Sequence, residues 1–250
     1  MIEVVGLKKS FRGINVLDDI SAVFDDAKVN MVVGTSGAGK SVFLKCILGL
    51  IEIDDGSILY DRIPFNKNVD KDMIMEIRKS IGVLFQGSAL FEQLTVEENV
   101  RFFLDMQSDM PLDEKNDRVN ECLNSVKMVG CNNKYPRELS GGMQKRVGIA
   151  RAIANTPKYL FCDEPNSGLD PQTSRTIDEL IARITSDKDI TTIVITHNID
   201  SIVDIGEKIV YLHDTKKEWE GTKKDLFLTN NESLVDFLES SITYKKLYHR

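Results

Sequence analysis

Cysteine is scarce in this chain and never falls in a pattern that redox or metal chemistry uses. The 250 residues contain four cysteines, Cys46, Cys122, Cys131 and Cys162, with no CxxC pair and no metal-ligand spacing. Disulfides are rare in reducing compartments. We therefore expect four free thiols that pack as small apolar side chains in a cytoplasmic protein.

Long apolar runs and an excess of positive charge are also missing. No stretch approaches the ~18 apolar residues of a membrane span, and the N-terminal MIEVVGLKKSF lacks the apolar centre of a signal peptide. The formal net charge of −7 argues against nonspecific nucleic-acid binding. These absences predict a cytoplasmic protein without a nucleic-acid partner. If it works at a membrane, another protein must hold it there.

The pattern of apolar runs predicts an α/β fold with a mainly parallel sheet. Short apolar runs alternate with longer amphipathic segments, and the runs at 28–34, 158–164 and 191–197 are typical of buried parallel strands. Ligand-binding groups are expected at the carboxyl ends of such strands. The segments 2–11 and 56–65 instead favour antiparallel strands that flank this core.

A helical pattern interrupts the α/β pattern between about 88 and 145. VEENVRFFLDM (96–106) and KNDRVNECLNSVKMVG (115–130) are typical of helices, which predicts an inserted helical subdomain. We therefore divide the chain into a main domain, 1–220, and a C-terminal helical extension with a tail, 221–250. The tail ends in TYKKLYHR, which mixes aromatic and basic residues.

One glycine-rich loop has the pattern of a nucleotide site. GTSGAGKS (34–41) fits G-x-x-x-x-G-K-[ST], and it lies between a predicted strand and a predicted helix over 40–50. Its backbone can cradle phosphates, Lys40 can reach the β- and γ-phosphates, and the Ser41 hydroxyl can coordinate Mg²⁺.

Acidic residues and one histidine follow two other core strands. Asp163 and Glu164 end the strand at 158–164, and His197 ends the strand at 191–197. Asp163 is predicted to hold Mg²⁺ through its water shell, and Glu164 to act as general base for an attacking water. His197 is expected on the γ-phosphate side of the site.

A second loop, LSGGMQKR (139–146), also has the chemistry of a phosphate site. A serine and two glycines lead into a run that favours a helix, and the backbone N–H groups at a helix start attract anions. The chain thus carries two phosphate-binding loops and one nucleotide motif.

Together these residues resemble the nucleotide-binding domain of ABC transporters over nearly the whole chain. In the family's order they are Phe11, GTSGAGKS, Gln86 within LFQGSALF, LSGGMQKR, YLFCDEP, SGLD (167–170) and His197. The resemblance implies a P-loop NTPase (RecA-like) core, an antiparallel β subdomain, and hydrolysis of ATP with Mg²⁺. It also implies a homodimer of head-to-tail copies, in which each ATP lies between one copy's P-loop and the other's LSGGM.

The resemblance assigns a role to each site residue. Phe11 would stack on adenine, and catalysis would involve Glu164, His197 and Gln86. Mg²⁺ would be held by Ser41, Gln86 and Asp163, and the ATP of the partner copy would be contacted by Ser140, Gly141, Gly142 and Asp170. The remaining ATP contacts would come from Gly34, Thr35, Ser36, Gly37, Ala38, Gly39, Lys40, Ser41, Val42 and Asp163.

Two positions depart from the common family pattern. Met143 stands where many members have glutamine, and Asn166 stands where threonine or phenylalanine is more frequent. Neither replaces the catalytic acid, so an active ATPase is expected.

Two longer segments, 85–100 and 138–153, most resemble the ATPase of MCE-type lipid transporters, the MlaF/Mkl branch. This implies an integral membrane permease of the MlaE type, an MCE-domain protein, phospholipid cargo carried between two membranes and, in some relatives, a STAS-domain regulator. Residues 87–100 would help form the groove for a permease helix, which would place the chain on the inner face of the inner membrane. The C-terminal tail is interpreted as a subunit contact, a lipid-headgroup contact or a solvated end.

Other ABC systems remain alternatives for the cargo. They are lipoprotein release, amino-acid import and division-associated systems. A soluble ABC ATPase acting on DNA ends or ribosomes is disfavoured, because the chain has neither a long coiled-coil insertion nor a second ATPase domain.

Overall fold

In the described part of the chain, ten strands in two sheets form the framework of the protein. The computed structural model describes residues 1–66 and 69–241. In chain order the strands are β1 (Ile2–Phe11), β2 (Ile14–Phe24), β3 (Val29–Val33), β4 (Asp55–Tyr60), β5 (Ile63–Pro64), β6 (Ile81–Leu84), β7 (Tyr159–Asp163), β8 (Thr191–Thr196), β9 (Lys208–His213) and β10 (Lys216–Thr222).

The larger sheet confirms the predicted parallel core. Its strand order is β10–β9–β3–β8–β7–β6, and every neighbouring pair is parallel except β10 with β9. All residues of β3, β7 and β8 are buried, as the continuous apolar runs require of strands covered on both faces. The register pairs Val33 with Thr196 and Asp163 with Ile195, so the carboxyl ends of these strands meet at one edge.

The smaller sheet is antiparallel, with order β2–β1–β4–β5. It confirms the antiparallel strands predicted in 2–11 and 56–65, but the second segment is divided into two strands, β4 and β5. This segment is a hairpin, because Asp61 and Arg62 adopt the left-handed conformation (φ 50° and 67°) and reverse the chain between β4 and β5.

Helices cover the larger sheet and build the segment between β6 and β7. They are α1 (Lys40–Ile47), α2 (Lys71–Lys79), α3 (Val96–Gln107), α4 (Leu112–Ser125), α5 (Gly141–Ile153), α6 (Pro171–Asp187), α7 (Ile199–Ile205), α8 (Lys223–Leu226) and α9 (Glu232–Glu239), with a short 3₁₀ helix at Pro136–Glu138.

The region of the predicted helical insertion contains α3, α4 and the start of α5. A capping box fixes the start of α3, since Thr95 Oγ1 accepts from the Glu98 N–H and Glu98 accepts from the Thr95 N–H. Helix α4 ends five residues before the predicted boundary at 130, and the following turn includes Lys127 at φ 58°. Helix α5 continues past 145 into the main core, where Val147 and Ile153 are fully buried.

The C-terminal helices pack on the main core. Leu226, Leu234 and Leu238 are fully buried in the same apolar cluster as Tyr211 of β9. Strand β10 runs to Thr222, so the predicted division at 221 falls inside a strand. The predicted basic-aromatic tail, 243–250, lies outside the described residues.

The cysteine prediction is confirmed, since all four thiols are free and buried. Burial raises the pKa of Cys162 to about 12, which keeps this thiol protonated and unreactive. Within residues 1–66 and 69–241, no helix is both long enough and apolar enough to span a bilayer.

Candidate nucleotide-binding site

The glycine-rich loop connects β3 to α1 in a conformation that needs glycine. Gly39 has φ 89°, and a Cβ there would lie 2.8 Å from Leu17 Cδ2 and from the Val16 carbonyl. At Gly34 a Cβ would lie 2.2 Å from the Leu212 carbonyl oxygen. The loop is therefore pressed against β2 and β9, while the side chains of Thr35 and Ser36 face solvent.

Lys40 folds its ammonium back over this loop. Its Nζ donates to the carbonyl oxygens of Gly34 and Thr35, at 2.8 Å each. An ammonium has three protons, so one donor remains for an anion in the loop. Burial lowers the pKa of Lys40, while the carboxylates of Glu164 and Asp163 raise it. The lysine is thus already desolvated beside the two acids.

Glu164 is held by the strand that carries His197. The Glu164 N–H donates to the Ile195 carbonyl (2.9 Å), and its carboxylate lies 2.7 Å from His197 Nδ1 and 3.3 Å from Thr196 Oγ1. Glu164 itself adopts φ 45°, which is uncommon outside glycine. The Glu164 side chain is 14% exposed and that of His197 65%, so the pair reaches the surface at the sheet edge.

Asp163 presents a buried oxygen, Oδ1, that has no hydrogen-bond partner among residues 1–66 and 69–241. Burial, together with the neighbouring Glu164, raises the pKa of Asp163, although three nearby lysines lower it. A bound cation would satisfy this oxygen and restore the charged form. The hydroxyl of Ser41 is exposed at the first turn of α1, and Gln86 is exposed just beyond β6. These oxygen donors are of the type that Mg²⁺ prefers.

A left-handed turn follows Gln86. Gly87, Ser88 and Ala89 all have positive φ, at 75°, 66° and 44°. Arg151 of α5 fastens the turn, since its Nη2 donates to the Ser88 carbonyl (2.7 Å) and its Nη1 to that of Ala89 (2.8 Å). Two non-glycine residues are strained here, and this guanidinium holds them in place.

The second phosphate-type loop forms a separate group with the start of α6. Ser140 caps α5 and is exposed. A Cβ added to Gly142 would lie 2.5 Å from Thr173 Cγ2, so α5 and α6 start in close contact. Asp170 caps α6 by accepting from the N–H groups of Gln172 and Thr173 at 3.0 Å. Ser140, Gly141 and Asp170 are all exposed at the starts of these two helices.

Phe11 lies at the end of β1 and is 42% exposed. Lys9 Nζ stands 5.3 Å from the centre of its ring. The Phe11 ring is thus partly exposed at the surface, with the Lys9 ammonium close to it.

Two residues near the acids were missed by the sequence analysis. Thr196 donates to Glu164, and it could have been noticed because it precedes His197 at the same strand end. Lys145 is buried on α5 and its Nζ donates to the Glu164 carbonyl at 3.4 Å. Gly142, Lys145 and Ile149 share one buried helix face, which the spacing could have indicated.

A buried network of polar side chains connects the loop that follows Glu164 to the loop that follows His197. Asn166 Nδ2 donates to Asp178 Oδ1 (2.8 Å) and to Ser201 Oγ (2.9 Å), and Ser201 Oγ donates to Asp178 Oδ2 (2.8 Å). These residues belong to the segment after Glu164, to α6 and to α7. We call them the Asn166–Asp178–Ser201 network.

The Asp178 carboxylate is expected to make stability fall as pH rises. Burial raises its pKa from 3.8 to about 6, against the hydrogen bonds from Ser201 and Asn166, and Asp204 and Asp200 of α7 add to the rise. The folded chain therefore binds this proton more tightly than the unfolded chain. Ionisation of Asp178 should therefore lower the free energy of unfolding by roughly 3 kcal/mol. This loss of stability should be absent below about pH 4 and complete above about pH 6.

Denaturant unfolding of the wild type and of Asp178→Asn at pH 4 to 8 checks this expectation. The variant cannot ionise, so its stability relative to the wild type should improve by up to roughly 3 kcal/mol as pH rises through this window. A difference between the two proteins that stays constant with pH would contradict it.

The fold and the glycine-rich loop first define a class: this is a P-loop NTPase, with a mainly parallel sheet whose P-loop, acids and histidine meet at one edge. The comparisons with known proteins narrow the class. The family model described as "ABC transporter" matches residues 17–167. The chain is 37% identical to the methionine import ATP-binding protein MetN of Campylobacter jejuni, across 96% of this chain and 76% of that protein. It is also 37% identical to the probable ribonucleotide transport ATP-binding protein mkl of Mycobacterium leprae, across 94% of this chain and 67% of that protein.

Solved structures agree with the sequence relatives. The ATP-binding cassette MJ0796, in a dimeric post-hydrolysis state bound to ADP and Pi, has a TM-score of 0.80 and 32% identity, and covers 89% of this chain and 99% of its own. The cbiO1 protein of Clostridium perfringens has a TM-score of 0.84 and 27% identity, and covers 99% of this chain and 97% of its own. The chain belongs to the ABC transporter family and is one of its ATP-binding subunits. It is an ATPase that uses ATP and Mg²⁺.

Proposed function

We propose that two copies of this chain pair head-to-tail and hold each ATP between the P-loop of one copy and the LSGGM loop of the other. One observation carries this proposal: Ser140 and Gly141 are exposed at the start of α5, and Gly142 packs against Thr173 in the first turn of α6, whose capping residue Asp170 is also exposed. Backbone N–H groups at a helix start attract anions, and the ATP held by a second copy would supply one here. The similar cassette MJ0796 is dimeric, which supports the arrangement.

In each ATP site shared by two copies, which we call a composite site, the residues at the sheet edge would have separate roles. The P-loop, residues 34–42, would hold the phosphates, with the remaining proton of Lys40 on the γ-phosphate side, and Phe11 would stack on adenine. Ser41, Asp163 and Gln86 would hold Mg²⁺, which when bound offsets the negative charge of the phosphates.

Glu164 would take a proton from water as the water oxygen attacks the γ-phosphorus. The bond from that phosphorus to the ADP oxygen breaks, and inorganic phosphate and ADP leave. The 2.7 Å contact with His197 orients the carboxylate for this step. Ser140, Gly141, Gly142 and Asp170 of the second copy would complete the site.

We further propose that an integral membrane permease docks on the surface around the left-handed turn after Gln86. Exposed Phe85 and Phe91 lie on either side of the turn, and the Phe91 ring packs on Phe102 of α3 with 4.5 Å between centroids. Exposed Met106 lies one helical turn after Phe102 on the same face of α3. Because Arg151 fastens the turn, a displacement of Gln86 by nucleotide would be passed on to the docked helix. The contact of the Arg151 guanidinium with the Phe91 ring, 5.8 Å away, adds to this rigidity.

For the cargo we propose phospholipid, moved between two membranes through an MlaE-type permease and an MCE-domain protein, with a STAS-domain regulator in some systems. The support is the resemblance of segments 85–100 and 138–153 to that branch. The ATPase would then sit at the cytoplasmic face of the inner membrane, held by the permease. Amino-acid import is the second candidate, because the methionine import protein of Campylobacter jejuni is as similar as the mkl protein.

Purification of the tagged chain from its native membrane in mild detergent tests the cargo. We expect a permease, an MCE-domain protein and phospholipid by mass spectrometry. A parallel preparation of Met106→Glu, whose side chain is 68% exposed and whose change should not disturb the fold, should lose all of these partners. A permease paired with an amino-acid-binding protein would overturn the lipid assignment and leave the ATPase mechanism intact.

A further inference from the structure

We infer that the Asn166–Asp178–Ser201 network is a positioning device, which fixes the geometry of the Glu164–His197 pair by tying its two loops to α6. The inference rests on the proposed roles of Glu164 and His197 in hydrolysis. All three residues are buried, so each would act through the loop that it holds and not by contact with nucleotide.

The network joins the two loops at short range. Asn166 lies two residues after Glu164, and Ser201 lies four residues after His197 in the first turn of α7. Asn166 bonds directly to Ser201, and both bond to the Asp178 carboxylate. Three hydrogen bonds between fixed backbone segments leave little freedom in the distance between the loops.

The same carboxylate ties both loops to α6. Asp178 is the one ionisable residue among the buried residues of α6, where it lies beside Ile177, Ile181 and Ile184. It lies eight residues after Asp170, the capping residue of α6, which is expected to face the second copy. A rigid shift of α6 on dimer formation would therefore move the Glu164 and His197 loops together.

Stability alone does not explain a carboxylate at this position. A buried ionisable group raises the cost of folding unless it is fully bonded, and an apolar side chain of similar size is often as stable or more stable. The Asn166 Oδ1 is also buried, with no hydrogen-bond partner in the described part of the chain, which adds to that cost. The network therefore maintains geometry, and the geometry that it maintains is that of the catalytic pair.

Steady-state ATPase assays on the full-length chain with Mg²⁺ test the inference. Asn166→Ala and Asp178→Ala should each lower kcat by about tenfold or more, with KM for ATP changed less than about twofold, because a misplaced base slows chemistry and leaves phosphate binding intact. Asp178→Asn keeps an acceptor for Asn166 and should recover most of the lost kcat. The double variant Asn166→Ala/Ser201→Ala should be no slower than the slower single variant, since the residues act as one unit.

A matched control uses a second buried side-chain hydrogen bond of α6, the one between Thr185 and Thr192. Thr185 Oγ1 lies 2.6 Å from Thr192 Oγ1, on β8 and away from both loops. Thr185→Val removes a polar group from the same helix and should leave kcat unchanged. Circular dichroism at the assay temperature shows that each variant is folded, and Ser201→Ala, the smallest deletion, provides the test if Asp178→Ala does not fold.

Glu164→Gln, assayed in parallel, distinguishes a failure of the positioning role from a failure of the proposed hydrolysis mechanism. If Glu164→Gln abolishes turnover while folded Asn166→Ala and Ser201→Ala keep kcat within about twofold, the proposed chemistry stands and the positioning role is wrong. A rise in KM at unchanged kcat would also overturn it. If Glu164→Gln keeps full turnover, the proposed function itself fails, and the positioning role fails with it.

Discussion

Glu164→Gln is expected to abolish steady-state ATP hydrolysis and to leave ATP binding intact. Glutamine keeps the shape of the side chain and can still contact His197 and Thr196, but it cannot accept the proton of the attacking water. Loss of a general base lowers the rate by about 10²–10⁴-fold. The phosphate contacts belong to the P-loop and Lys40, which the substitution leaves unchanged.

The same variant should accumulate as a dimer with ATP. Since ATP would link the P-loop of one copy to the LSGGM loop of the other, a site that cannot hydrolyse ATP should remain closed. Size-exclusion chromatography with light scattering at saturating ATP and Mg²⁺ measures this. Glu179→Gln, on the exposed face of α6, is the control and should hydrolyse ATP normally. A purely monomeric Glu164→Gln under these conditions would count against the shared site.

Lys40→Ala is expected to lose both nucleotide affinity and turnover. The variant removes the ammonium that bonds to the loop carbonyls of Gly34 and Thr35. Loss of such a charge contact to the reacting group can lower the rate by about 10²–10³-fold. Unlike Glu164→Gln, this variant should also fail to form the ATP-dependent dimer, because the ground-state phosphates lose the same contact.

Titration with a fluorescent ATP analogue checks the affinity of Lys40→Ala. Lys79→Ala, an exposed lysine at the end of α2, is the control for the loss of one positive charge. Wild-type affinity in Lys40→Ala would show that the loop backbone alone holds the nucleotide, and would remove the lysine from the proposed site.

The core strands were predictable because each is formed by a run of consecutive, mainly apolar residues. The runs that form β3, β7 and β8 are mainly apolar and are buried throughout, as is typical of strands covered on both faces. Strand β10, KKEWEGT, carries few apolar residues and lies at the sheet edge, so no such signal marks it. The hairpin within 56–65 was missed because Asp61 and Arg62 form its turn without a glycine.

The site also contains residues that the sequence could predict and residues that it could not. Asp163, Glu164 and His197 were predictable, since chemistry at the ends of parallel strands gathers at one sheet edge. The Asn166–Asp178–Ser201 network was not, because its partners are separated by 12 to 35 residues and meet only through the packing of α6 and α7. The spacing of Ile177, Ile181 and Ile184 marks a buried stripe that includes Asp178, but only the structure supplies its partners.

Mixing two inactive variants tests the shared site most directly. Ser140→Arg should bind ATP as a monomer and fail to hydrolyse it, because the arginine obstructs the helix start that receives the partner's phosphates. Lys40→Ala fails in the other half of the site. In a mixed dimer both defects fall in one composite site and the other site is intact, so an equal mixture should regain about a quarter of wild-type turnover. A mixture no more active than the two variants measured separately would contradict the head-to-tail arrangement.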